Sequence, residues 1–412
     1  MQQDNVVIVG AGQAGAELAA SLRSLGYLGQ ITLLGREAQY PYSRPPLSKA
    51  YLLGHCGTAD LLIRDASMYA QQGVTVRLSV EVDCIDRDAK TVSLKDGETI
   101  AYSDLVLATG GSPRRLPNPE LANALNVFYI RTLEDVDRLR QRFHSGIRLA
   151  IVGGGYIGLE IASVARRAGL EVTLIEATNR VLARVTCPPV SDFFQRIHAE
   201  EGVQIKLQST VSEYVTDAGG DVSALVLGDG ERLDVDILVV GIGLIPNTSL
   251  AEQAGLGVDN GILVDDYLRT PDPHIYAIGD VARFPDTLSG TLRRIESVPN
   301  AAEQARTLAA TLLGTPTRFM CIPWFWSDQY DVKMQVVGLS APDDEVVVRG
   351  DVSEGRKLTV YYLRKGVLSA ADVVGSPADF AVAKKLIANG AVVDPVLLAD
   401  PNSNPRSFLK AG

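Results

Sequence analysis

The residues with the clearest chemical purpose in this chain are glycines. VIVGAGQAGAELA near the N-terminus and IVGGGYIGLEIA from Ile151 carry the same G-x-G-x-x-G spacing, each between a short apolar run and a run of small residues suited to a helix. The three glycines of such a turn have separate jobs. Gly10 and Gly153 allow the tight bend, Gly12 and Gly155 let the backbone approach a pyrophosphate, and Gly15 and Gly158 let helix pack on strand. The helix start adds free N–H groups and a partial positive charge for the phosphates. In the second copy the next strand ends TLIEA, so Glu176 stands where a carboxylate accepts from both ribose hydroxyls. The first copy ends TLLGRE and offers Arg36 and Glu37 for the adenosine, with the choice between them open. Two dinucleotide sites on one chain point to a hydride donor set against a second cofactor that passes electrons on.

Further on, IYAIGDVA puts Asp280 at the end of a buried strand. A carboxylate is costly there unless it meets hydroxyls or N–H groups. Two readings stand: acceptance from the ribityl chain of a flavin dinucleotide, and an N-cap on the next helix. That helix, SVPNAAEQARTLAATLLG, aims its N-terminus at Val298 toward a flavin's carbonyl edge. The cysteines Cys56, Cys84, Cys187 and Cys321 lie far apart and the four histidines are scattered, so four structural thiols are expected, with no Cys-x-x-Cys pair and no metal.

These residues need elements to hold them. Residues 5–10 form a strand, 11–25 a helix and 31–34 a second strand. YPYSRPPLSKAYLLG begins as an irregular loop, LVLATGG is a buried strand, and SPRRLPNPE is a linker. From Arg148 the order repeats: strand, Gly-rich turn, helix 156–168, strand 172–176, a meander, and ILVVGIGLIPN in the place of LVLATGG. The pattern is an internal repeat at domain scale. The last ninety or so residues carry strands at 333–338, 345–352, 357–363 and 367–374 and a helix at 378–388, a small antiparallel α+β domain. Before them, Trp324 and Trp326 sit two apart on a strand and point to one side.

With 412 residues the chain is too long for one core. A net charge of -10 argues against nucleic acid or an anionic membrane as a main partner. No apolar run approaches the ~20 residues of a membrane helix, and MQQDN is no secretory signal, so a cytoplasmic protein is expected.

The stretches RPPLSKAYL, LVLATGG, VGGGYIGLE, GIGLIPN, IYAIGDVARF, RIESVPNAAEQAR and PWFWSDQY together make the chain resemble, over essentially its whole length, the FAD-containing, NADH-dependent ferredoxin reductases that serve bacterial oxygenases. The resemblance implies an α/β, glutathione-reductase-like fold: two Rossmann-type domains plus a C-terminal α+β domain covering the flavin. The FAD domain takes residues 1–112 and 247–320, the NADH domain 113–246 and the C-terminal domain 321–412. It implies FAD contacts at Ala14, Lys49, Val82, Arg131, Asp280 and Val298, joined by Ala108, Thr109 and Gly110 of LVLATGG. Tyr156, Ile157, Arg184, Ile242 and Gly243 join the NADH set. Arg36 falls where many members of the family carry an acid. Lys49 and Glu160 match a lysine–glutamate pair beside the flavin's hydride-accepting nitrogen, where the pair keeps buried charge neutral; a surface salt bridge is the plainer alternative. Trp326 comes near the flavin at the electron exit, with core packing as the other reading. Lys49, Glu160 and Trp326 are thus catalytic only in the sense of tuning the flavin.

Disulfide reductases of this fold carry Cys-x4-Cys in the loop-helix region that here reads PYSRPPLSKAYLLGHC. Ser43 cannot form a thiolate, and Cys56 lies past the flavin-facing part. The implied activity is hydride transfer from NADH to noncovalent FAD, then single electrons to an acidic two-iron two-sulfur ferredoxin feeding a haem monooxygenase or ring-hydroxylating dioxygenase. A rubredoxin or other small-acceptor reductase, and an NADH-sensing flavoprotein without turnover, are the rivals. A monomer or weak dimer is expected. Arg306, helped by Arg406, is the expected basic docking patch beside Trp326, unless Arg306 pairs with Glu303 on its own helix.

Overall fold

A computed structural model of the chain describes residues 4–286 and 290–410. The chain forms two compact units, each drawn from three segments.

The first unit takes the chain up to Ser43, Thr58–Ser112 and Leu244–Pro323. Its centre is a five-stranded sheet in the order Ile275–Ala277, Asp104–Leu107, Asn5–Val9, Gln30–Leu34, Val74–Arg77. All four pairings are parallel. Parallel strands are buried on both faces and so read as unbroken apolar runs; Val6, Val7, Ile8, Leu105 and Val106 are fully buried. The helix Gln13–Ser24 follows the first strand and packs on the helix Val298–Leu312, where Ala14, Ala301 and Ala305 keep the surfaces small. An antiparallel meander, Val82–Asp86, Thr91–Leu94 and Thr99–Ala101, completes the repeat unit.

The second unit takes Arg44–Gly57, Pro113–Gly243 and the chain from Trp324. Its parallel sheet runs Gln204–Lys206, Glu171–Ile175, Arg148–Val152, Ile237–Val240, Val127–Phe128. The helix Tyr156–Arg167 and a meander of Val211–Thr216, Val222–Leu227 and Arg232–Asp234 match their counterparts in the first unit. The internal repeat read from sequence therefore extends to strand order, with one difference. The edge filled by a late strand, Ile275–Ala277, in the first sheet is filled by an early one, Val127–Phe128, in the second.

Between the strand Glu171–Ile175 and the meander stands a helix absent from the expected order, Pro188–Glu200. Its signal is present: Val190, Phe193, Phe194, Ile197 and His198 follow helical spacing and are all buried. The C-terminal segment forms an antiparallel sheet in the order Trp324–Gln329, Val332–Gly338, Val367–Val374, Leu358–Arg364, Glu345–Gly350, with the helix Pro377–Ala388 against it. Among the described residues no helix is long and apolar enough to cross a membrane.

Candidate functional site

In the first unit the fingerprint glycines separate by cause. Gly10 has φ +119° and a Cβ there would overlap the carbonyl oxygen of Ala108; one on Gly15 would overlap that of Gly10. Gly12 has an ordinary φ of −91°, and nothing lies within 4 Å of where its Cβ would be. Neither backbone conformation nor packing requires a glycine there. What remains is the open space itself, at the start of a helix whose first N–H groups have no side-chain cap. This is the cradle a pyrophosphate needs.

Around it, Thr109 Oγ1 donates to the Asn247 carbonyl (2.8 Å), while Asn247 donates from Nδ2 to Thr109 O (2.9 Å) and from its N–H to Gly110 O (2.9 Å). Asn247 locks the LVLATGG strand end and Gly110, at φ +61°, in place. Within GIGLIPN nothing marks Asn247 for this role until the fold supplies Thr109 and Gly110 as its partners. Ala14 is buried, and a Cβ on Gly279 would come 3.0 Å from its own. Val82 is buried as well.

Asp280 lies in the single turn Gly279–Val281, with the Gly279 N–H donating to Gln304 Oε1 (2.6 Å). The helix Val298–Leu312 is capped by Ser297, whose side chain accepts from the Asn300 N–H, so Asp280 is not its cap. Glu37 accepts from the Tyr42 hydroxyl, whereas Arg36 is exposed. Arg306 is half exposed and bound by two carboxylates, Glu17 (3.0 Å) and Glu303 (2.8 Å). Arg64 also reaches Glu17 (3.1 Å), so the four groups sum to zero charge. The pairing alternative weighed for Arg306 is present.

In the second unit Gly153 (φ +109°) and Gly158 are again required by close backbone, and Gly155, with φ −81°, again faces nothing within 4 Å. Glu176 accepts from the Gly154 N–H (2.7 Å), the Thr178 N–H (2.8 Å) and the Thr178 hydroxyl (2.7 Å), which aim its carboxylate at the fingerprint. The Leu182 N–H donates to Gly154 O (2.9 Å) and ties the following loop to the same turn. That loop brings the exposed Arg184 to Gly243, 3.8 Å from its would-be Cβ. Ile242, partly buried, precedes Gly243. Ile157 is 46% exposed on the first helical turn, an apolar surface beside the cradle, and Tyr156 packs on Phe325 with ring centres 4.4 Å apart.

The same unit holds the Lys49–Glu160 pair, Nζ to Oε2, at 2.6 Å, with side chains 17% and 3% exposed. The surface-bridge alternative fails on that burial. Glu160 also accepts from Ser48 Oγ on Oε2 (2.5 Å) and from Ser327 Oγ on Oε1 (2.7 Å). Lys49 donates further to Pro45 O (3.2 Å). Charge, countercharge and hydroxyl donors in one buried place are what keeps an ion pair tolerable away from water. Neither serine was singled out from sequence. The backbone carbonyl of Arg131 accepts from the Arg44 guanidinium (2.6 Å). Trp324 and Trp326 share a face with ring centres 5.7 Å apart, and the Lys384 ammonium lies 5.4 Å above Trp324. Arg406 is exposed in the turn Pro405–Lys410. None of the four cysteines is in a disulfide, and burial raises the pKa of Cys187, away from the thiolate that would react.

Two cradles with the same glycine logic, one with the Glu176 carboxylate held beside it, fit a protein that takes two dinucleotides. A model of the pyridine nucleotide-disulphide oxidoreductase family matches residues 4–305, and one of the reductase C-terminal domain matches 324–409. Putidaredoxin reductase from Pseudomonas putida is 45% identical over 412 residues, covering 99% of this chain and 97% of that protein. A ferredoxin–NAD(P)(+) reductase from a Sphingomonas species is 41% identical, covering 98% and 97%. The crystal structure of the covalent putidaredoxin reductase–putidaredoxin complex superposes with a TM-score of 0.96 at 44% identity, covering 99% of this chain and 98% of that one. The chain belongs to the pyridine nucleotide-disulphide oxidoreductase family. Its fold is glutathione-reductase-like, and it is an oxidoreductase with FAD and NAD(H) as cofactors.

Proposed function

We propose that this protein is an NADH-dependent ferredoxin reductase feeding an oxygenase, a haem monooxygenase or a ring-hydroxylating dioxygenase, in the cytoplasm, as a monomer or weak dimer. A bound FAD would supply two-electron acceptance from NADH and one-electron delivery to two successive two-iron two-sulfur ferredoxins. The observation that carries the reading is the duplicated open cradle at Gly12 and Gly155, together with serine at position 43 and no disulfide in the chain. A chain with two nucleotide sites and no thiol relay passes electrons outward from the flavin.

The residues act by position. The N-terminus of Gln13–Ser24 binds the FAD pyrophosphate at Gly10, Gly12, Ala14 and Gly15, while Asp280 accepts from ribityl hydroxyls. Ala108, Thr109, Gly110, Val82, Arg131 and Val298 line the remainder, and Glu37 rather than the solvent-facing Arg36 takes the adenosine. Tyr156, Ile157, Glu176, Arg184, Ile242 and Gly243 receive NADH. Lys49 and Glu160 keep the charge near the flavin constant, and Trp326 marks the electron exit. The domain division follows the family: 1–112 with 247–320 for FAD, 113–246 for NADH and 321–412 C-terminal.

The test is cytochrome c reduction by the FAD-loaded protein with NADH, with and without an acidic two-iron two-sulfur ferredoxin. Rates that depend on ferredoxin support the reading. Rates equal without it, or rescued only by a rubredoxin, put a different acceptor in its place. Absence of multiple turnovers leaves the NADH-sensing alternative.

A further inference from the structure

Behind Glu160 lies a run of polar groups, buried up to the half-buried Tyr330 at its far end, that neither nucleotide site uses. Ser327 Oγ sits 2.7 Å from Glu160 Oε1, Gln329 Nε2 3.1 Å from Ser327 Oγ, His198 Nε2 2.8 Å from Gln329 Oε1, and Tyr330 Oη 3.1 Å from His198 Nδ1. Ser327 and His198 are fully buried and Gln329 is 1% exposed. The far end is pinned where the Tyr330 N–H donates to Ser163 Oγ (2.6 Å).

Donor arithmetic fixes the direction of each bond. An ionised Glu160 only accepts, so Ser327 donates to it. Having used its proton, Ser327 must accept from the Gln329 amide nitrogen. The Gln329 carbonyl then faces His198, whose Nε2 must carry a hydrogen. The neutral ring is left with a lone pair on Nδ1, and Tyr330 donates to it. Every dipole in the run points toward Glu160.

We propose that Ser327, Gln329, His198 and Tyr330 form a polarised hydrogen-bond chain that positions the Glu160 carboxylate toward Lys49. The four are positioning residues; none touches a reacting atom. The proposal rests on the reading of Lys49–Glu160 as the flavin-tuning pair. It adds that the tautomer of His198 is set by the charge on Glu160.

The consequence is a reversal. In Glu160→Gln, Lys49 and Ser48 keep a carbonyl oxygen on the Oε2 side, so the new NH2 group faces Ser327. Ser327 then accepts there and donates onward, the Gln329 amide turns over, and the hydrogen of His198 moves from Nε2 to Nδ1.

The experiment is 15N NMR of the histidine-labelled FAD-loaded protein. The chain has four histidines, and burial holds His198 neutral by lowering its pKa to about 4, so its ring signals stay still from pH 5.5 to 8. The native protein should show the Nε2–H tautomer and Glu160→Gln the Nδ1–H tautomer. The same tautomer in both overturns the chain. Should Glu160→Gln fail to fold, Ser327→Ala cuts the chain at its end and should give a mixture of tautomers; a pure Nε2–H form there also overturns it. Ser327→Ala should further slow reduction of FAD by NADH about tenfold, since a charged acceptor loses a donor; an unchanged rate removes the positioning role. A protein with the tautomer reversal but no NADH-driven flavin reduction would keep the chain and reject the functional reading.

Discussion

Arg180 is the nearest cation downstream of Glu176 in the sequence, and its guanidinium is already engaged within the following loop and helix. Its guanidinium donates to the carbonyls of Ala183 and Thr186 and to Ser191 Oγ, each at 2.8 or 2.9 Å. A 2′-phosphate would meet the Glu176 carboxylate with no countercharge from Arg180. NADH should therefore be preferred to NADPH by roughly 10- to 100-fold in kcat/KM, equivalent to ~1–3 kcal/mol; equal values for the two would refute the assignment of Glu176. Arg306 is a second case in which bonding partners decide. It offsets Glu17 and Glu303 rather than offering free charge. Arg306→Ala leaves the group of Glu17, Glu303 and Arg64 with one excess negative charge, so KM for an acidic ferredoxin should rise at low salt and recover as the Debye length shrinks from ~10 Å at 0.1 M toward ~3 Å at 1 M. A KM that is unaltered at every ionic strength places docking elsewhere. Asp372 carries a signature of its own. It is buried, accepts from Thr186 and Tyr362, and burial raises its pKa to about 6. Between the unfolded carboxylate value and about 6 the folded state binds more protons, so this group's contribution to stability falls as pH rises through that window. Asp372→Asn should stabilise the protein at pH 8, on the order of 3 kcal/mol, and by far less at pH 4. Urea denaturation at both values checks the sign.

At the scale of the turn, Gly12 and Gly15 look alike in sequence and differ in consequence. Gly15→Ala drives a methyl into the Gly10 carbonyl and should cost the fold itself. Gly12→Ala puts the methyl into open space, so stability should stay within about 0.5 kcal/mol while FAD is lost on gel filtration. Retention of FAD by Gly12→Ala would remove the cradle. The elements that sequence conveyed were those with strong local signals: the two fingerprints, the strand Val367–Val374, and the helix at Val298 with its proline in the first turn. The helix Pro188–Glu200 had an equally clear period, but its counterpart in the first unit, Ala66–Gln71 before the strand Val74–Arg77, is only six residues long and offers no template for it. The Lys49–Glu160 contact spans 111 positions and came only from family resemblance, because sequence carries no signal for which lysine meets which glutamate. Ser48, Ser327 and His198 were illegible for the same reason. Small polar residues in apolar surroundings declare themselves only when the fold supplies their partners.

At the scale of the whole chain, the two parallel sheets differ in which end of the sequence supplies an edge strand. The sheet of the second unit uses strands between Val127 and Val240, while that of the first unit waits for Ile275–Ala277. On a ribosome the later-starting sheet is therefore the first to be complete. Until residue 277 emerges, the strand Asp104–Leu107 has an open edge, with buried-type side chains and unpaired backbone, through the synthesis of more than a hundred residues. Asp280, three residues beyond that closing strand, emerges only afterwards. The nascent chain is thus exposed to mispairing before the proposed flavin site is whole, and a supply of FAD would not shorten that interval.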